Sequence, residues 1–225
     1  MVCSRDRGVI TKQNEMSKIS AEQALERLRE GNRRFATGSS STASVSQQRR
    51  AELVTGQAPF AVILGCLDSR APVETIFDQG LGDIAVVRVA GNIAGPSQIA
   101  SVEIAAQLLG ARLVVVLGHS SCAAVRLTLD WLIDGASASA HPIGLIQEAI
   151  RPAVAGWLAA EDRLDTDACM ARAVRSNVMQ SVEQLRCGSD ILASLTTEEG
   201  LQIVGAEYSL ESGIVEFLDV ESPRA

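Results

Sequence analysis

Apolar residues recur at Ala21, Ala24, Leu25, Leu28 and Phe35, the spacing of one helix face, and Ser20 with Gln23 forms a capping box ahead of them. The spacing predicts an amphipathic helix over 20–36. Residues 37–46 are rich in glycine, serine and threonine and read as a loop before a short polar helix. The pattern then changes to three short continuous apolar runs, 60–64, 84–89 and 113–117, dense in β-branched residues and ended by glycine or polar residues. Such runs mark strands buried on both faces. Between the last two, Ile99, Val102, Ala106 and Leu109 share one helical face, with Gly110 placed to end the helix. A strand–helix–strand unit of this kind builds a parallel sheet. Helical periodicity returns over 120–133, 143–159 and 168–186, and the runs 201–208 and 214–218, separated by a segment containing Gly213, read as a closing pair of strands. The expected fold class is α/β, a central mostly parallel β-sheet flanked by helices, with active groups gathered at the carboxyl ends of strands.

Composition narrows this further. A chain of 225 residues with 47% apolar content can bury one sizeable core. The expectation is a single domain over 20–225, preceded by an extension, 1–19, with no part in the chemistry. A net charge of −7 and 3% aromatic residues exclude a general phosphate-backbone binder or a base-stacking surface. No apolar run approaches the length that crosses a bilayer as a helix, and the first residues lack the apolar core of a secretory signal. The expected location is the cytoplasm, with no nucleic acid and no membrane as partner. Five cysteines, at positions 3, 66, 122, 169 and 187, lack the compact spacing of a disulfide framework and suit a reducing compartment.

The chemistry concentrates at two strand ends. Cys66 follows the first buried run within GCLDSR, and His119 and Cys122 follow the third within LGHSSC. A lone buried cysteine or histidine is usually structural. If the two strands are neighbours, however, two thiols and an imidazole converge into a Cys₂His set, and three protein ligands leave a fourth zinc position open, the arrangement of a catalytic site. Asp68 and Arg70 stand in the same turn, where an unpaired buried carboxylate is costly, and are expected to form a bidentate pair. The other three cysteines are expected to be ordinary thiols.

The segments CLDSR and GHSSC resemble the C-x-D-S-R and H-x-x-C pair of β-class carbonic anhydrases. FDQGLGDIAVVRVAGNIA between them, EQALERLREGNRRF before them and GAEYSLESGIVEFL near the end extend the resemblance over roughly residues 20–220. It implies one zinc per subunit on Cys66, His119 and Cys122, and an Asp68–Arg70 catalytic dyad orienting a zinc-bound hydroxide that hydrates carbon dioxide to bicarbonate. Gln57 matches a glutamine that contacts substrate across a dimer interface, and Ala85, Ala90 and Ile104 fall at substrate-pocket positions. A homodimer, or a dimer of dimers, is implied, with the helical arm 20–36 used in dimerisation and its apolar face offered for exchange between subunits.

Departures from the family pattern concern the walls. Ala85 and Ile104 replace aromatic residues and Ala123 replaces a glycine; these changes read either as a wider channel with a methyl against the first helical turn beside the metal, or as compensating drift in core packing that leaves the chemistry unchanged. Some members hold a regulatory bicarbonate with a tryptophan, an arginine and a tyrosine. Arg88 and Tyr208 match two of these, but Ile63 stands at the tryptophan position, so no such regulation is expected. A widened pocket also admits an alternative, hydrolysis of carbonyl sulfide or carbon disulfide at the same metal, and a blocked fourth position would leave a non-catalytic zinc-binding protein.

Overall fold

A computed structural model of the chain describes residues 19–40, 46–135, 141–158 and 166–218. The expected extension lies outside these apart from its last residue. Five strands form one sheet in the order β2-β1-β3-β4-β5: β1 (Ala61–Gly65), β2 (Ile84–Arg88), β3 (Leu113–His119), β4 (Gln202–Tyr208) and β5 (Val215–Leu218). The first four are parallel and β5 returns antiparallel to β4. β1 and β3 are buried at every position because each has a strand on both sides and a helical layer on both faces, which is why their sequences show no alternation.

One face is covered by α1 (Ala21–Ala36), the short α2 (Gln47–Glu52) lies beyond it in the chain, and α3 (Val73–Ile76) packs beside α1. The capping box at the start of α1 forms as expected, with the Gln23 amide donating to Ser20 Oγ at 3.2 Å and the Ser20 amide to Gln23 Oε1 at 2.9 Å. Ala24, Leu25 and Leu28 of α1 join Ile63, Ile76, Phe77, Val115 and Leu117 in one core cluster. The approach is close: a Cβ on Gly31 would lie 1.9 Å from the Phe77 carbonyl oxygen. This corrects one expectation. The apolar face of α1 is used within its own chain, so it is not left free for exchange between subunits.

The other face is covered by α4 (Pro96–Glu103), α7 (Thr166–Cys187) and α8 (Asp190–Glu198), which enclose Val62, Leu64, Val114, Val116 and Ile203. α4 does not run on to Gly110 as the spacing predicts. It passes into a π turn over Ile104–Leu108, and the left-handed Gly110 (φ 81°) then redirects the chain into β3. α8 was not expected from the pattern; Ser189 caps it by accepting the Leu192 amide at 3.0 Å. The remaining helices, α5 (Ala123–Ile133) and α6 (Ile143–Leu158), pack with α7 into a third cluster that contains Cys66 and Cys122.

The chain leaves β1 toward β2 on one side and then crosses to β3 on the other. The connections therefore diverge between β1 and β3, and a crevice opens at their carboxyl ends.

Candidate metal centre

β1 and β3 are neighbours, with Gly65 paired to Leu117, so Cys66 and His119 leave adjacent strands at that crevice. Ser121 takes a left-handed conformation (φ 57°), which costs a non-glycine residue on the order of 1 kcal/mol and turns the chain back so that Cys122 follows His119 into the same space. Cys122 is the N-cap residue of α5. The ligand-type atoms of Cys66, His119 and Cys122 all lie within 4.8 Å of one another, the two sulfurs 3.9 Å apart, and all three residues are buried.

The donors are prepared for a cation. His119 Nδ1 donates to the Ser120 carbonyl at 2.9 Å, which fixes the proton there and presents a bare Nε2 that has no hydrogen-bond partner although the residue is 1% exposed. Without a metal, the Cys122 thiol donates to Cys66. That hydrogen bond, followed by help from His119 and the backbone, outweighs burial and pulls the Cys66 thiol down to about 4. The same contact and then burial push Cys122 upward, against the amides of Val125 and Ala124 at the start of α5. Burial pulls His119 down, but the neighbouring Cys66 sulfur and its charge outweigh it and leave its pKa raised. Two cysteine sulfurs and an imidazole with one orphaned nitrogen are a donor set that zinc fits.

Asp68 and Arg70 pair as expected. Arg70 Nε donates to Asp68 Oδ1 at 3.0 Å, Nη2 to Oδ2 at 2.7 Å, and the Arg70 amide to Oδ1 at 2.9 Å. The Arg70 side chain is the main reason the Asp68 carboxyl falls to about 2, with burial opposing it. Asp68 Oδ2 stands 3.9 Å from His119 Nε2, so the carboxylate borders the space the three donors enclose.

Three further residues tie this site to the fold, and the sequence reading did not assign them these roles. Arg88, the last residue of β2, donates from Nε to the Cys66 carbonyl at 2.9 Å and from Nη2 to the Asp68 carbonyl at 2.6 Å. The Gly91 amide donates to Cys66 Sγ at 3.4 Å, and Asn177 of α7, fully buried, donates from Nδ2 to the Gly91 carbonyl at 2.7 Å. Gly91 is left-handed (φ 65°), and a Cβ there would lie 2.8 Å from Ile150 Cδ1. A polar Asn177 beside the apolar Val174 and Val178 was the available signal.

The wall positions are spread out. Ala90 adjoins Gly91 in the turn after β2, Ala85 lies mid-strand in β2 opposite Val62, and Ile104 is 55% exposed at the start of the π turn. Gln57 is exposed before β1, in a cleft of about 630 Å³ with Leu53, Leu81, Gly82 and Leu109, at the opposite end of the strands from Cys66. Within one chain, Gln57 does not meet the three donors. Ala123 is exposed, which disfavours the reading in which its methyl presses on the first turn beside the metal pocket. Cys169 is a buried free thiol in the third cluster, and Cys187 is exposed and bonded to Glu183 at 2.9 Å.

Comparison with known proteins decides the family. A carbonic anhydrase family model matches residues 61–215, which holds both strand-end clusters. This chain belongs to the β-class carbonic anhydrases. Carbonic anhydrase 2 of Mycobacterium tuberculosis is 36% identical over 190 residues, covering 84% of this chain and 89% of that protein. Among solved structures, the β-carbonic anhydrase CafA of Aspergillus fumigatus superposes with a TM-score of 0.70 at 25% identity, covering 90% of this chain and 92% of that one. Structures described as two tetrameric β-carbonic anhydrases from Sordaria macrospora match with a TM-score of 0.63 at 26% identity, over 75% of this chain and 85% of that chain. The matched span carries this chain's cysteine–histidine–cysteine group at the carboxyl ends of its parallel strands.

Proposed function

We propose that this β-class carbonic anhydrase hydrates carbon dioxide reversibly to bicarbonate and a proton, with one zinc ion per subunit held by Cys66, His119 and Cys122. The observation that carries the reading is the convergence of three buried donors beside a carboxylate already fixed by Arg70. When bound, zinc supplies the Lewis acidity that activates water for attack on carbon dioxide.

The chain's own groups do the rest. Two sulfur donors offset most of the charge of a dication, so the nucleophile needs help from its surroundings. Asp68 gives that help by orientation. With its carboxyl held at about 2 it is too weak a base to take a proton near neutral pH, but as an acceptor it can aim a nucleophile bound in front of His119. Arg70 keeps it ionised and in place. His119 is locked as the Nδ1–H tautomer by Ser120, so its Nε2 stays free for the metal.

A second copy of the chain completes the pocket in this reading. Gln57 lies too far along the strands to serve its own metal site, and the outer edge of β2 carries no partner strand among the described residues. A homodimer along that side brings Gln57 toward the neighbour's crevice, where it joins Ala85, Ala90 and Ile104 as substrate-pocket residues. The tetrameric Sordaria enzymes support further pairing into a dimer of dimers. Among the described residues, no helix is long and apolar enough to cross a membrane. Free thiols at Cys66, Cys122, Cys169 and Cys187 suit the cytoplasm.

Stopped-flow carbon dioxide hydration with zinc analysis of the same samples tests the proposal. The wild type should bind one zinc per chain and be active, and Asp68→Asn should keep its zinc and lose about 100-fold in kcat. Stoichiometric zinc without hydration would refute the assignment. Faster turnover of carbonyl sulfide or carbon disulfide would redirect it to those substrates.

A further inference from the structure

Arg88 has no acidic partner among the described ion pairs, and its guanidinium is spent on two backbone carbonyls. Those carbonyls belong to Cys66, a metal-site donor, and Asp68, the orienting carboxylate. Both stand in a turn whose other ties are local: Leu67 is 61% exposed, the Ala71 amide donates to the Asp68 carbonyl at 3.0 Å, and Arg70, two residues on, holds the Asp68 side chain. Arg88 comes from a different strand. It terminates β2, opposite Gly65 in the ladder, and the Val89 amide closes the next rung onto the Gly65 carbonyl at 3.1 Å. The fork of one rigid side chain therefore spans the turn at the residues whose separation sets the geometry between the Cys66 sulfur and the Asp68 carboxylate. A planar guanidinium reaches two acceptors at once, whereas a lysine ammonium holds one direction at a time.

We propose that Arg88 is a positioning residue for hydration, a clamp that fixes the Cys66–Asp68 segment from the edge strand. Its action is on geometry, since its guanidinium hydrogen-bonds backbone carbonyls and not the side-chain atoms of Cys66 or Asp68. It holds the sulfur where a cation needs it and keeps the Asp68 backbone still while Arg70 holds the side chain. Because β2 is also the sheet edge, the clamp links the packing along that edge to the catalytic turn. The inference rests on the zinc hydratase reading for its consequence in turnover, but the clamp itself has a readout that needs neither metal nor substrate.

The test compares wild type with Arg88→Lys and Arg88→Ala. Carbonyl ¹³C shifts of Cys66 and Asp68 in the metal-free protein report the two hydrogen bonds directly. Both should move in Arg88→Ala, and one should remain near its wild-type value in Arg88→Lys. Zinc affinity, measured by chelator competition, and kcat should each fall about 10- to 100-fold in Arg88→Ala with KM little changed, the range expected when a group supporting a metal ligand is lost. Millimolar guanidinium ion should recover part of the kcat of Arg88→Ala, which a general loss of folding would not allow. Unmoved carbonyl shifts, or wild-type zinc affinity and kcat in Arg88→Ala, would overturn the clamp. A wild type that binds zinc without hydrating carbon dioxide would instead overturn the functional reading, and the shifts and affinities would still decide the role of Arg88.

Discussion

Replacing Gly91 with alanine perturbs the metal pocket from behind, and the structure gives both parts of the cost. At φ 65° an alanine pays for the left-handed region, about 1 kcal/mol. Its Cβ would also lie 2.8 Å from Ile150 Cδ1 and 3.3 Å from Ala124 Cβ, so Ile150, fully buried, must shift its terminal methyl. A mild overpacking of this kind adds about 1 kcal/mol, for a total destabilisation of about 2 kcal/mol. Ile150→Val alone should cost about 1 kcal/mol by leaving a small void. In the Gly91→Ala background the same change removes the clash, so it should cost almost nothing, a coupling of about 1 kcal/mol. Urea unfolding of the four proteins at one protein concentration measures this cycle. The Gly91 amide also donates to Cys66 Sγ, so Gly91→Ala should weaken zinc binding about tenfold, and Ile150→Val should restore part of that affinity. Strict additivity in stability, or unchanged zinc affinity in Gly91→Ala, would refute the account of why glycine stands at this turn.

Two other outcomes follow from named contacts. Asn32 is buried in α1, donating from Nδ2 to the Ile76 carbonyl at 3.2 Å and the Gly213 carbonyl at 2.9 Å while accepting the Val215 amide at 2.8 Å. Asn32→Ala strands these buried groups and should destabilise by at least about 2 kcal/mol, read by thermal or urea unfolding, with a near-neutral result counting against the contact network. Asp68 is held at about 2 against an ordinary 3.8, chiefly by Arg70. A depressed folded-state pKa means its stabilisation is complete above the ordinary value and disappears as pH falls from about 4 toward 2. Arg70→Gln should therefore lose more stability at pH 7 than at pH 2, and equal losses at both would contradict the pairing.

The central strands were legible because burial on both faces forces uninterrupted runs of β-branched residues, and few other environments do. Boundaries were less so. α8 buries only Leu192 and Leu195, too few positions to set a period, and its real signal was the Ser189 cap. The spacing of Ile99, Val102, Ala106 and Leu109 is compatible with α-helix, and the π turn that interrupts it is not a matter of polarity. The free apolar stripe expected of α1 vanished because Gly31 allows it to lie flush against the Phe77 backbone of the same chain. At the site, Cys66, His119, Cys122, Asp68 and Arg70 were readable because ligand and ion-pair chemistry restricts residue type. Arg88, Gly91 and Asn177 act through backbone carbonyls and an amide, contacts between segments far apart in the chain, so their identities alone carried little sign of the role.

All three donors come from a span that ends at Cys122, and the chain then makes a long helical excursion, α5 through α8, before returning as β4 beside β3. The excursion covers one side of the pocket but, among the described residues, supplies no donor, and Asn177 is its tether to the sulfur through Gly91. Substitutions within it can therefore remodel shape and access without redrawing the coordination sphere, so that the reactive centre and its enclosure are free to evolve at different rates.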